Sequence, residues 1–240
     1  MRQGMVRRRR RVEDINRCFS RKNHVPKKLL DIGFGNAAIA EFFIRKGVEV
    51  SGIEVNENQV KMARERIPNG QFLLYNGTKI PFDDSSFDSI ILNDILEHIS
   101  YEDIEILLPE IKRVLKPGGF IYISVMNRWQ LIEPHKLIPF LTWLPKKAWH
   151  PICKTLRGQD YIYYWPYTRK RAQNLFIRHG LLYQDMTDIY VLNKFTGINP
   201  IGNRTTSKIF SLMRRFHLSS MAYALALKIS VLLYLVWKPE

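Results

Sequence analysis

Residues 29–37 read Leu29-Leu30-Asp31-Ile32-Gly33-Phe34-Gly35-Asn36-Ala37, and this run decides the fold. A short apolar strand leads into a glycine turn and then into a helix. Gly33 permits the tight turn, and Gly35 lets a ligand approach the backbone closely. The helix N-terminus beyond can face a negative group. The same residues also fit a dinucleotide-binding fingerprint with Ala38 at its last position, so the glycines alone leave the ligand class open.

Working outward, apolar strand-like runs alternate with helix-like segments. Lys28–Ile32 predicts the first strand. Ala37–Lys46 has helical spacing and closes at Gly47, a C-cap signal. Strands are predicted at Val48–Val55, Gln71–Tyr75 and Ser89–Leu92, with a short helix at Asn58–Arg66. An amphipathic helix over Tyr101–Leu115 leads through Pro117-Gly118-Gly119 to a strand at Phe120–Val125. Such alternation predicts right-handed βαβ units and a parallel sheet. From Met126 to Tyr167 the period is lost. Four of the five tryptophans fall here (Trp129, Trp143, Trp149, Trp165), and the segment reads as an insertion after the fifth strand. Arg169–His179 predicts a helix, Leu181–Leu192 a sixth strand and Val231–Trp237 a final buried strand. The rival reading of the tail is a membrane span starting near Met221, which Lys228 interrupts.

Carboxylates at strand ends narrow the ligand. Asp31, two residues before Gly33, would repel a pyrophosphate but would favour the ammonium and sulfonium of S-adenosylmethionine (SAM). Glu54 ends the second strand, where a carboxylate can accept both ribose hydroxyls. After the third strand, Asn76 and Gly77 stand where an adenine edge can be read. Asn93 and Asp94 follow the fourth strand, at the rim of such a site. His98, Glu133 and His135 are further candidates for proton transfer, with Asp94 and His135 the first choices. Asn127 and Arg128 would add polar groups near the exit of the fifth strand.

The run Leu29–Ala37, Glu54, Asn76 through Phe87-Asp88, Leu96-Glu97-His98-Ile99 and Arg113-Val114-Leu115-Lys116-Pro117-Gly118-Gly119 resembles the class I SAM-dependent methyltransferases. It is most similar to the small-molecule group that includes ubiquinone and menaquinone biosynthesis enzymes. These motifs cover about Lys27 to Val125. The resemblance implies an α/β, Rossmann-like, doubly wound sheet of seven mostly parallel strands, helices on both faces and an antiparallel last strand. It implies SAM as cofactor, held by Asp31, Gly33, Gly35, Glu54, Asn76, Gly77 and Asn93. The chain departs from the family in carrying Ala37 where a third glycine is usual, Phe34 at a commonly small position and Asn76 where aspartate is frequent.

Charge and composition bear on the acceptor. The 240 residues carry a formal net charge of +15, which favours an acidic partner: nucleic acid, an anionic membrane surface or a phosphorylated substrate. Cys18 and Cys153 form neither a metal-ligand spacing nor a disulfide framework and fit a reducing cytoplasm. Residues 1–26, with the run Arg7 to Arg11, read as a basic arm before a methyltransferase domain at 27–240, either solvated or anchoring to phosphates or lipid. Asn93-Asp94-Ile95-Leu96 lacks the Pro-Pro and aromatic pattern of amine-methylating nucleic-acid enzymes, and neither cysteine follows a proline. Nucleic acid is therefore the lesser partner, with RNA ribose methylation and non-catalytic SAM-fold binding as alternatives. The tryptophans and lysines of 126–167 resemble interfacial side chains and favour a small-molecule, glycan or lipid-linked acceptor beneath a cap made by that segment, with peripheral contact to an anionic membrane.

Overall fold

The computed structural model describes residues 2–77, 79–161, 164–195 and 219–239, with side chains described from Arg10 onward and not at 192–195 or 219–222. Thr78 and the side chains of Arg7 to Arg9 lie outside that set.

In chain order the elements are α1 (Arg2–Ser20), β1 (Lys28–Ile32), α2 (Ala38–Ile44), β2 (Glu49–Glu54), α3 (Glu57–Arg66), β3 (Gln71–Leu74), β4 (Phe87–Asn93), α4 (Asp103–Val114), β5 (Leu115–Val125), α5 (Trp149–Arg157), α6 (Arg169–Arg178), β6 (Leu182–Asp185), α7 (Thr187–Phe195), α8 (Ser219–Ile229) and β7 (Leu232–Trp237). The strands form one seven-stranded sheet in the order β3-β2-β1-β4-β5-β7-β6. β1 to β5 pair in parallel, and β7 runs antiparallel between β5 and β6. The chain has the Rossmann-like doubly wound sheet with its antiparallel last strand.

Alternation along the strands explains why both faces are covered. Leu30, Ile90, Ile121, Ile123 and Tyr234 point into one apolar cluster with Ile104, Leu108 and Ile111 of α4 and Leu175 and Phe176 of α6. Their neighbours Leu29, Ile91, Tyr122, Leu233 and Leu235 point into the other, with Phe43 of α2, Val60 of α3 and Ile189 of α7. Strands buried on both faces read as continuous apolar runs, which is why they were visible in the sequence. Arg113 fixes the loop before β4. Its guanidinium donates to the carbonyls of Ile80 and Phe82 and to Glu110 and Asp84.

Two segments differ from the sequence reading. Leu181–Leu192 is a four-residue strand followed by α7, not one strand. Asp185 accepts from the Thr187 amide, and Thr187 Oγ1 accepts from the Leu233 amide, so the chain turns into a helix there. The expected N-terminal arm is a helix. Val12, Ile15, Cys18 and Phe19 are buried, and Ile15, Cys18 and Phe19 join the second cluster, so packing does not break at residue 27. In the tail, α8 has 11 residues and ends before β7. Among the described residues no helix is long and apolar enough to cross a membrane.

Candidate active site

The strand order reverses between β1 and β4, and ligands bind at such a switch point, outside the carboxyl ends of the strands. The register places Ile32 beside Ile53 and Leu92, Glu54 beside Leu74, and Asn93 beside Ser124. The tips carrying Gly33, Glu54, Asn76 and Asn93 therefore share one edge of the sheet.

The glycine turn is open. Gly33 and Gly35 have φ of +69° and +53°. A Cβ on Gly35 would meet no atom within 4 Å, whereas one on Gly33 would lie 2.2 Å from Ile95 Cδ1. Gly33 is thus held by packing, and Gly35 presents bare backbone to open space. Ala37 also sits in the left-handed region, at φ +54°. This explains why glycine is usual there: a Cβ in that region costs roughly 1–2 kcal/mol.

Glu54 accepts from the backbone N–H of Gly35 at 2.9 Å with one oxygen and from those of Val55 and Asn56 with the other. It ties the tip of β2 to the glycine turn and presents a carboxylate there. Asp31 is buried, and its Oδ2 has no hydrogen-bond partner. Burial, reinforced by Glu54 nearby, pushes its carboxyl up to about 7. An orphaned carboxylate oxygen beside an open glycine turn suits a cationic ligand group, as SAM would bring. Asn76 and Gly77 lie exposed after β3.

A cavity of about 810 Å³ adjoins Gly33. It brings together Asn93 at the end of β4, Asp94, Glu97 and His98 after it, Gln130 to Ile132, Pro134 and His135 after β5, Arg11 of α1 and Tyr190 of α7. Asp94 has φ +56°. Its carboxylate accepts from Ser124 Oγ at 2.8 Å and from Arg11 at 2.6 Å. The His135 ring stacks on Tyr164 with centroids 4.0 Å apart, and His98 stands edge-on to both. Burial lowers the proton affinity of both imidazoles, and their proximity lowers that of His98 further, against the pull of Asp94. Both are therefore neutral at pH 7 and able to accept a proton.

Gly33, Asn93, Asp94, His98 and His135 thus meet in one chamber, while Gly35, Glu54, Asn76 and Gly77 stand along the neighbouring strand tips. Three expected polar groups serve local structure instead. Glu133 is fully buried and accepts from the amides of His135 and Lys136, so it holds a turn. Asn127 donates to the carbonyls of Lys228 and Ser230, tying the segment after β5 to the end of α8. Arg128 reaches the Leu144 carbonyl. The sequence reading missed Arg11 and Glu97. Glu97 is buried with Oε2 unpartnered, and burial followed by Asp94 pushes it up to about 8.

Residues 30–123 match the methyltransferase domain family. Over that stretch the chain is similar to the class I SAM-dependent methyltransferases. It is 33% identical over 102 residues to a demethylmenaquinone methyltransferase of Streptomyces griseus, covering 42% of this chain and 44% of that protein. It is 31% identical over 142 residues to a ubiquinone biosynthesis O-methyltransferase of Bartonella bacilliformis, covering 55% of each. The matched part spans about half the length of these curated relatives. Among solved structures, a protein of Pyrococcus horikoshii superposes with a TM-score of 0.61 at 17% identity, over 97% of this chain and 91% of that one. A SAM-dependent methyltransferase of Methanosarcina mazei gives 0.56 at 18% identity, over 88% and 90%. At these identities the methyltransferase fold is what is shared.

Proposed function

We propose that this methyltransferase moves the methyl group of SAM to an ionisable hydroxyl of a small, amphipathic acceptor held in the cavity next to Gly33. The observation that carries the reading is the chamber itself. It joins the cofactor turn to Asp94 and two neutral imidazoles, His98 and His135, under a roof of apolar side chains. Bound SAM supplies an electrophilic methyl on a sulfonium, so alignment carries much of the rate. Asp31, Gly33, Gly35 and Glu54 hold the cofactor, with Asn76, Gly77 and Asn93 completing its site. His98 or His135 takes the hydroxyl proton as the oxygen attacks, and Asp94 orients the acceptor. Leu131, Ile132 and Pro134 exclude water.

The relatives are named for quinone biosynthesis, which supports a quinone-type acceptor. A cytoplasmic location with peripheral contact to an anionic membrane belongs to the same reading. The free, buried thiols of Cys18 and Cys153 suit a reducing compartment, and the net charge of +15 suits an anionic surface.

Titration calorimetry with SAM tests the cofactor half. Glu54→Gln should weaken binding by about 1–3 kcal/mol through its charged hydrogen bonds. Turnover on catechol and hydroquinone acceptors tests the other half. SAM binding without turnover on any hydroxylated acceptor would overturn the catalytic reading.

A further inference from the structure

The insertion between β5 and α6 has an inside and an outside. Inside, Ile138, Leu141, Trp149, Cys153 and Tyr161 form a small core of their own with Met126. Outside, seven of the sixteen exposed large apolar residues among those described fall within positions 129–144. Trp129 and Phe140 each pack edge-on against Trp143, with ring centroids 5.8 and 5.3 Å away. The Phe140 amide donates to the Leu131 carbonyl, and Ile132 bridges Pro139, so Leu131 and Ile132 lie beside that aromatic group. Core formation accounts for Trp149, and Trp143 donates its Nε1–H to the Gln130 carbonyl, but the outward apolar faces of this group are left in solvent.

Backbone strain makes the point sharper. Leu137 and Phe140 have φ of +55° and +57°, and they are 63% and 51% exposed. A turn needing this conformation is better served by Asn or Gly. Two bulky apolar residues here carry the left-handed strain while leaving half or more of their surface exposed among the described residues.

Charge frames the patch. Residues 126–167 hold six lysines and arginines (Arg128, Lys136, Lys146, Lys147, Lys154, Arg157) against two acids, Glu133 and Asp160. Glu133 is fully buried and Asp160 is paired with Lys154, so the outward field is positive. Lys170 and Lys228 extend it along a groove shared with Trp129 and Trp143. Apolar and aromatic tips on a segment with this excess of cations match an anionic bilayer, whose interface takes up the rings while its headgroups meet the lysines.

We infer that residues 129–144 dock the enzyme onto an anionic phospholipid bilayer. This rests on the amphipathic-acceptor reading and adds the route. Leu131 and Ile132 line the cavity and are also 41% and 54% exposed. The docked lip therefore opens the chamber toward the bilayer, and an acceptor with an apolar tail enters without crossing water.

The test uses the full chain with vesicles of phosphatidylglycerol and phosphatidylcholine, and with phosphatidylcholine alone. The variant is Leu137→Asn with Phe140→Asn, residues that accept left-handed backbone, so folding is favoured. Wild type should co-sediment with the anionic vesicles and not the neutral ones. The double variant should bind them roughly tenfold less or weaker still, with a melting temperature at or above that of wild type. Lys147→Glu should weaken binding alone and steepen the loss when combined. SAM affinity, measured on the same preparations, should not change. A wild type that fails to bind SAM would count against the enzymatic reading and leave the vesicle result to judge the docking. Equal vesicle binding by wild type and double variant would overturn the docking surface. So would a wild-type dimer that the double variant dissociates, or vesicle binding lost only on deleting residues 1–9.

Discussion

The guanidinium of Arg11 meets the carboxylate of Asp94 at 2.6 Å, joining α1 to the tip of β4 across the mouth of the cavity. Among the described residues Arg11 is the sole lysine or arginine lining that cavity. The pair is half-exposed, so it contributes less than about 1 kcal/mol to stability. Its role is to fix the Asp94 carboxylate, which Ser124 holds from the other side. Arg11→Gln should leave melting nearly unchanged and SAM affinity intact, while kcat falls about tenfold through misplacement of Asp94. An unaltered kcat at saturating SAM would reduce the contact to an ordinary surface ion pair.

The two glycines of the turn should fail differently. Gly35→Ala adds a methyl that meets nothing in the protein. Its cost in stability is the left-handed strain, about 1 kcal/mol, whereas SAM affinity should fall sharply. Gly33→Ala drives a methyl into Ile95 and should destabilise the fold by about 2 kcal/mol or more. Adding Ile95→Val should recover part of that stability. Thermal melts and SAM titrations on the three variants separate the effects. Normal SAM affinity in Gly35→Ala would remove the turn from the cofactor site.

Protonation of Asp31 and Glu97 gives the fold a pH dependence. Both acids hold their protons more tightly in the folded chain, up to about 7 and about 8, than the ordinary value near 4. The folded state then binds more protons than the unfolded one, so stability without cofactor falls as pH rises through this window. Melting should be higher at pH 5.5 than at pH 8, and Asp31→Asn should flatten the slope. A cationic ligand favours the Asp31 carboxylate, so SAM binding should release protons and tighten from pH 6 to pH 8. Calorimetry in two buffers of different ionisation enthalpy reads this directly. Proton uptake on binding would contradict the placement of Asp31.

With His98 or His135 as the proposed base, kcat should have an acid limb. Each imidazole is lowered by burial, so kcat should stay flat through neutral pH and fall only below the ordinary histidine range. His98→Asn and His135→Asn should each slow turnover at unchanged SAM affinity, and the true base should lose its acid limb. Retention of the limb in both variants would shift the base to another residue.

The sheet was legible because its strands are buried on both faces and punctuated by glycine. Gly47 and Gly180 mark turns with left-handed backbone, as expected of helix ends. The sixth strand was overextended because Tyr190 and Val191 have strand propensity. Asp185, two residues before Thr187, was the available stop signal. Arg11 was hidden inside a charge run that reads as solvated. The signal that would have placed it is the apolar stripe Val12, Ile15 and Phe19 just beyond, at helical spacing. Glu97 carries no local sign of burial. Only the fold brings the carbonyl of Glu97 against the Trp165 amide and seals its side chain behind the insertion.

Methyl labelling tests the central claim most directly. Cell extract incubated with the enzyme and methyl-labelled SAM would be separated into lipid-extractable small molecules, RNA and protein. The account predicts label in the lipid-extractable fraction, carried as a base-stable methyl ether and reduced by Glu54→Gln at limiting SAM. Label in RNA or protein, or no enzyme-dependent label in any fraction while SAM binds normally, would contradict it.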